Sequence, residues 1–264
     1  MPTVIGVFDS GFGGLTVLHE LRKALPAADY IYFGDTAHLP YGAKSVRTVC
    51  KYAISAAHFL QEHGIEMLVV ACNTATALAF EDIQNAVKVP VVGVIEPGAE
   101  RAATISKTRK VVVAATEATV ASHAYQRALE RYGVQATEKA CPLFVPLVEE
   151  GWVDYRVTEE VARIYMDEVF QDGARDADVL VLGCTHYPLI RPLLRRIVPQ
   201  VVEIVDSAES TAAKVVELLG TNRAQGAPGD LRCYATDSVE KFRRLGSKFL
   251  GCPIQKIELV DIEK

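Results

Sequence analysis

The sequence predicts an α/β protein of two similar lobes, each a mostly parallel sheet flanked by helices. Three observations carry this. Short β-branched runs recur along the 264 residues, and several are continuous rather than alternating, as expected of strands buried on both faces of a parallel sheet. Stretches of helical period lie between them, giving a βαβ rhythm. The chain also echoes itself: Cys72 after LVVA is answered by Cys184 after LVLG, and FDSG at 8–11 by VDSA at 205–208.

Taken in order, strands are expected at VIGVF (4–8), YIYF (30–33), MLVVA (67–71), PVVGVI (90–95), KVVVAA (110–115), DVLVLG (178–183) and VVEIV (201–205). Residues 45–62 form an amphipathic helix: Val46, Val49, Cys50, Ala53, Ile54, Ala57 and Leu60 recur at three- and four-residue intervals, while Arg47, Lys51 and Glu62 point to water. The Gly/Pro-containing stretch NRAQGAPGD (222–230) reads as a turn. No linker cuts the chain into consecutive domains. Residues 1–97 are therefore expected to form the first lobe, 98–207 the second, and 208–264 to return to the first.

Composition narrows the function. With 28 Lys plus Arg against 33 Asp plus Glu, a net charge of -5 and no basic block, the chain lacks the concentrated positive surface that nucleic acid requires. No apolar run reaches membrane-spanning length, and the start MPTVIGVFDSG has no basic region followed by an apolar stretch. A cytoplasmic enzyme or binding protein is expected. The six cysteines, at 50, 72, 141, 184, 233 and 252, are far apart and form no C-x-x-C, which favours reduced thiols over disulfides. Cys50, Cys141, Cys233 and Cys252 read as small core residues.

Open α/β sheets bind ligands outside the carboxyl ends of their strands. Applied to the runs above, this rule selects Asp9-Ser10, Gly34-Asp35, Cys72-Asn73-Thr74, Glu96, Thr116, Cys184-Thr185-His186 and Asp206-Ser207. The rim is polar and rich in thiols. Taken singly, Asp9, Ser10, Asp35, Asn73 and Thr74 suit helix caps, and one buried thiol suits a core. Two thiols at equivalent strand ends point instead to chemistry at a shared substrate.

Rival motifs fare less well. DSGFGGLTVL would need glycine at 16 to complete G-x-G-x-x-G, and Thr16 stands there. Cys184 and His186 with Cys72 or Cys141 lack the paired spacing of a zinc site, so no metal is expected. Cysteine acyl transfer by Cys184 and His186 leaves Cys72 without a role.

At these residues the chain resembles the glutamate racemases, the cofactor-independent amino-acid racemases of bacterial peptidoglycan synthesis. The matching segments are GVFDSGFGGLTVL (6–18), YFGDTAHLPYG (32–42), ACNTATA (71–77), GVIEPG (93–98), AATEATVAS (114–122), CPLFVPLVEEG (141–151) and GCTHYPLI (183–190), with the part after Glu209 least diagnostic. The resemblance implies that the two lobes are related by pseudo-twofold symmetry with the active site between them, and that Cys72 acts on D-glutamate and Cys184 on L-glutamate. It also implies that Asp9 and His186 assist the thiols, with Glu149, or its neighbour Glu150, behind His186. Ser10, Tyr41, Gly42, Asn73, Thr74, Thr116, Thr119 and Thr185 would hold the substrate's amino and carboxylate groups. No cofactor is implied, and a homodimer is. An aspartate racemase of the same chemistry, or a non-catalytic binder of acidic metabolites, stays open on the residues alone; so does the interaction with DNA gyrase known for some relatives.

Overall fold

The computed structural model describes residues 3–220 and 227–262, so residues 222–226 of the expected Gly/Pro turn lie outside the described part. The elements run β1 (Val4–Asp9), α1 (Leu15–Ala24), β2 (Asp29–Gly34), α2 (Val46–Glu62), β3 (Met67–Val70), α3 (Asn73–Ala86), β4 (Val91–Gly93) and α4 (Ile95–Ile105). They continue through β5 (Lys110–Ala115), α5 (Glu117–Ala121), α6 (Ala124–Glu130), β6 (Gln135–Ala140), α7 (Phe144–Glu149), α8 (Arg156–Asp167), β7 (Val179–Gly183) and α9 (Arg191–Ile197). Last come β8 (Glu203–Asp206), α10 (Ser207–Leu219), β9 (Leu231–Ala235), α11 (Val239–Leu250) and β10 (Ile257–Leu259).

Two sheets result, in the order β10-β9-β2-β1-β3-β4 and β6-β5-β7-β8, and every described pairing is parallel. The central strands β1, β3, β5 and β7 are apolar on both faces and almost wholly buried, because helices cover each sheet on both sides. Val49, Ala53, Ala57 and Leu60 of α2 pack into the core over one face of the first sheet, as the periodicity predicts, and Ser45 caps this helix by accepting from Thr48 N. Val46, placed on the apolar face by its spacing, is more than half exposed. The chain passes between the sheets twice, from β4 to β5 through α4 and from β8 to β9 through α10, and these two helices pack on each other.

Three strands escape the sequence reading. β6 and β10 are sheet edges and β9 lies beside β10. QATEKA in β6 is only half-buried, so it needs no continuous apolar run. PVVGVI is a strand only as far as Gly93, where a Cβ would lie 2.6 Å from Thr76 Cγ2; the next residues open α4. Of the cysteines expected in the core, Cys141 and Cys233 are buried, but Cys50 is only partly covered and Cys252 is exposed on the turn after α11.

Candidate active site

Asp9 ends β1, Cys72 follows β3 and Cys184 follows β7, so strand ends from both sheets converge. Both thiols line one cavity together with Ser10, Asn73, Thr74 and Thr185. The cavity is about 30 Å³, room for about two waters. A neighbouring cavity of about 280 Å³ shares Leu39, Pro40, Gly42, Thr116, Val145 and Glu149 with it. A larger groove of about 620 Å³ between α3, α4 and α6 contains neither cysteine. Glu96 lies in that groove, exposed and paired with Arg131 and Tyr132. It therefore leaves the strand-end set, because β4 stops three residues before it.

Cys72 is the N-cap of α3, its sulfur accepting from Ala75 N at 3.4 Å and donating to Ser10 Oγ at 3.5 Å. Burial, then the nearby charge of Asp9, pushes its thiol up to about 11. Burial likewise raises Cys184, and the His186 backbone N–H only partly opposes it. Cys184 Sγ stands 3.9 Å from His186 Nδ1.

Asp9 is fully buried; its Oδ2 accepts from Gly11 N at 2.9 Å, whereas Oδ1 has no aligned partner. Desolvation raises its pKa, moderated first by His186. His186 Nε2 approaches Glu149 Oε1 at 3.4 Å, within ion-pair range but outside hydrogen-bond alignment. Two of the three buried polar side-chain atoms left without a hydrogen bond among the described residues thus belong to this cluster, the pattern expected where a ligand or proton completes the set.

Glu149, rather than exposed Glu150, faces His186. Its other oxygen accepts from Lys241 Nζ at 2.9 Å. Burial works to raise Glu149, but His186 and Lys241 outweigh it and hold the carboxyl below its ordinary value.

The polar residues divide into layers. Thr74 Oγ1 meets Thr116 Oγ1 at 3.0 Å across the two sheets, and Thr119 is buried behind both, 2.9 Å from Thr116 Oγ1. Asn73 Oδ1 accepts from Tyr125 at 2.7 Å, leaving Nδ2 with a 3.5 Å contact to Ser207 Oγ. Tyr41 lines the cavity, but its hydroxyl donates to Asp35 at 2.6 Å. Asp35 also accepts from Thr236 and pairs with His38, so it fixes the loop carrying Tyr41 and Gly42. Gly42 is needed for space, since a Cβ there would lie 2.9 Å from Thr116 Cβ.

Sequence reasoning missed several contributors. Gly13 and Gly14 signalled only a failed nucleotide fingerprint, yet a Cβ on Gly13 would lie 2.4 Å from Thr185 Oγ1, and one on Gly14 2.6 Å from Asp9 Cβ. Phe12 and Phe249 pack on the His186 ring. Lys241 carried no sequence signal.

A sequence profile described as Asp/Glu/Hydantoin racemase matches residues 5–215. The chain belongs to that family. Membership makes it an isomerase of the racemase class. A glutamate racemase of Koribacter versatilis (strain Ellin345) is 57% identical, over 98% of this chain and 97% of that protein. The crystal structure of a glutamate racemase isoform from Bacillus anthracis superposes with a TM-score of 0.91 at 34% identity, covering 98% of this chain and 97% of its own. That of glutamate racemase from Francisella tularensis subsp. tularensis SCHU S4, in complex with D-glutamate, gives 0.90 at 36% identity, covering 99% and 98%. Among the described residues no helix of this family member is long and apolar enough to cross a membrane.

Proposed function

We propose that this chain is a glutamate racemase that interconverts L- and D-glutamate by two-cysteine acid/base catalysis. The observation that carries the reading is the pair of buried thiols, one after a strand of each sheet, lining one cavity. Racemisation takes a proton from one face of Cα and delivers one to the other, which a single fixed side chain cannot do. Cys72 would take the Cα proton of D-glutamate as thiolate while Cys184 delivers its thiol proton to the opposite face. The roles exchange for L-glutamate. The substrate comes from the relatives named above.

Both thiols rest protonated, so one must give up its proton before turnover. Asp9 beside Cys72 and His186 beside Cys184 are the acceptors, and the raised Asp9 is a better match to a thiol than an ordinary carboxylate. Glu149 supports the imidazolium. The electron pair left on Cα spreads into the substrate carboxylate, whose developing charge is met by donors from Ser10, Thr74, Thr116, Thr185, the Asn73 amide and the turn at Tyr41 and Gly42. Thr119 steadies the threonines from behind. Residues 1–97 with 208–264 and residues 98–207 act as two lobes that part to admit substrate and exclude water on closing, a reading that the small cavity supports. D-glutamate supply for peptidoglycan, a cytoplasmic site and a homodimer complete the reading.

The test is circular dichroism of pure L- and D-glutamate in deuterated buffer with no added metal or pyridoxal phosphate. Loss of optical activity with deuterium at Cα is expected from both enantiomers, and Cys72→Ser and Cys184→Ser should each lower turnover by at least about a thousandfold. Near-normal turnover by either variant refutes the two-thiol arrangement, and faster turnover of aspartate refutes the substrate.

A further inference from the structure

We propose that Lys241 is a positioning residue for the proton relay at Cys184, its ammonium anchoring the Glu149 carboxylate so that one oxygen stays on His186. The inference rests on the two-thiol reading above. Lys241 belongs to α11, between β9 and β10 of the first sheet, whereas Glu149 ends α7, which follows the edge strand of the second. It also lies beyond the residues matched by the family profile. The Lys241–Glu149 ion pair therefore joins the two halves beside the cavity that Glu149 lines.

The geometry assigns each carboxylate oxygen a partner. Oε2 accepts from Lys241 at 2.9 Å, and Oε1 faces His186 Nε2 at 3.4 Å. Lys241 is itself held, its Nζ lying 5.6 Å from the centroid of Phe12, the ring that also packs on His186. The Glu149 side chain is 13% exposed, so a freely turning carboxylate would leave an oxygen without a partner in a poorly solvated place. The charged or titratable groups around the cluster are Lys241, the exposed Glu150 next in the chain, Lys248 of α11 beside Gly151, and Asp9 and Cys184 beyond His186. Of these, Lys241 is the cation in hydrogen-bond contact with Glu149.

One consequence separates this role from simple bracing. Without the ammonium, Glu149 binds its proton more readily, so the acidic limb of activity moves to higher pH. Because the enantiomers have equal free energy, kcat/KM falls by the same factor in both directions in any variant, so the pH profile is the readout that discriminates.

The experiment compares pH profiles of kcat/KM for the full chain with Lys241→Met, Lys241→Gln and Lys241→Arg, alongside titration of Glu149 by carboxyl carbon-13 resonance. Met and Gln are expected to lower kcat/KM about tenfold at neutral pH, the effect of one charge-assisted hydrogen bond, and to move the acidic limb and the Glu149 midpoint upward. Arg should keep both near the parent values. An unshifted limb in Met and Gln, with or without a loss of rate, overturns the proposal, as does an Arg variant as damaged as Met. If Met fails to fold, Gln and Arg decide. A parent protein that does not racemise glutamate sinks the functional reading instead, and the carboxyl titration still tests the Lys241–Glu149 coupling without turnover.

Discussion

Cys72 should remain a thiol in the unliganded protein at a pH where an ordinary cysteine is substantially ionised. With its pKa at about 11, about one molecule in a thousand carries the Cys72 thiolate at pH 8, against about one in four for a thiol of pKa roughly 8.5. The ionised fraction is thus lower by a factor of about 250. A more basic thiolate is a better nucleophile, and a Brønsted slope of about 0.4–0.5 over about 2.5 units returns roughly an order of magnitude. Labelling by an aromatic disulfide should therefore run about twentyfold slower at Cys72 than at glutathione in the same tube, before burial slows it further. The assay is timed labelling with peptide mapping, which keeps exposed Cys252 separate. The diagnostic is the pH dependence: the Cys72 rate should keep climbing about tenfold per unit beyond pH 9.5. A plateau below pH 9 would refute the argument, because the site would then be stabilising thiolate rather than excluding it. Asp9→Asn should bring the plateau down, since the Asp9 charge is the second cause of the shift.

Three further outcomes follow from the same cluster. Asp9 is raised by burial, so the folded state holds its proton above the unfolded value and loses stability as pH climbs through the folded pKa; Asp9→Asn should therefore unfold at higher urea by about 1–3 kcal/mol at pH 7.5, with no gain at pH 3, while its turnover falls. Glu149 has the opposite sign: its depressed pKa adds stability above the unfolded value that is lost as pH falls through the folded one, so the urea midpoints of the parent and Glu149→Gln should differ at pH 7 and converge in acid. Gly13→Ala places a Cβ where Thr185 Oγ1 and the His186 ring stand; it should cost about 1–3 kcal/mol and depress turnover more than tenfold, visible in urea melts and initial rates.

The central strands were legible because burial on both faces demands unbroken apolar runs, and their ends located the cysteines. The edge strand β6 was not, since its half-exposed positions accept Gln, Thr, Glu and Lys. The strand-end rule misplaced Glu96 because β4 is only three residues long. Resemblance placed Tyr41 at the site, but only coordinates reveal that Asp35 occupies its hydroxyl. Lys241 was illegible for a deeper reason: its partner is 92 residues away in the chain, and no local pattern records a contact made by folding.

The paired crossings α4 and α10 bear on the proposed parting of the lobes. Two straps fastened side by side would resist sliding and twisting between the halves and leave a swing about the line joining them as the easy motion. On that reading, a substitution stiffening either strap would slow the arrival and release of substrate while the bond-breaking step at Cα kept its own rate.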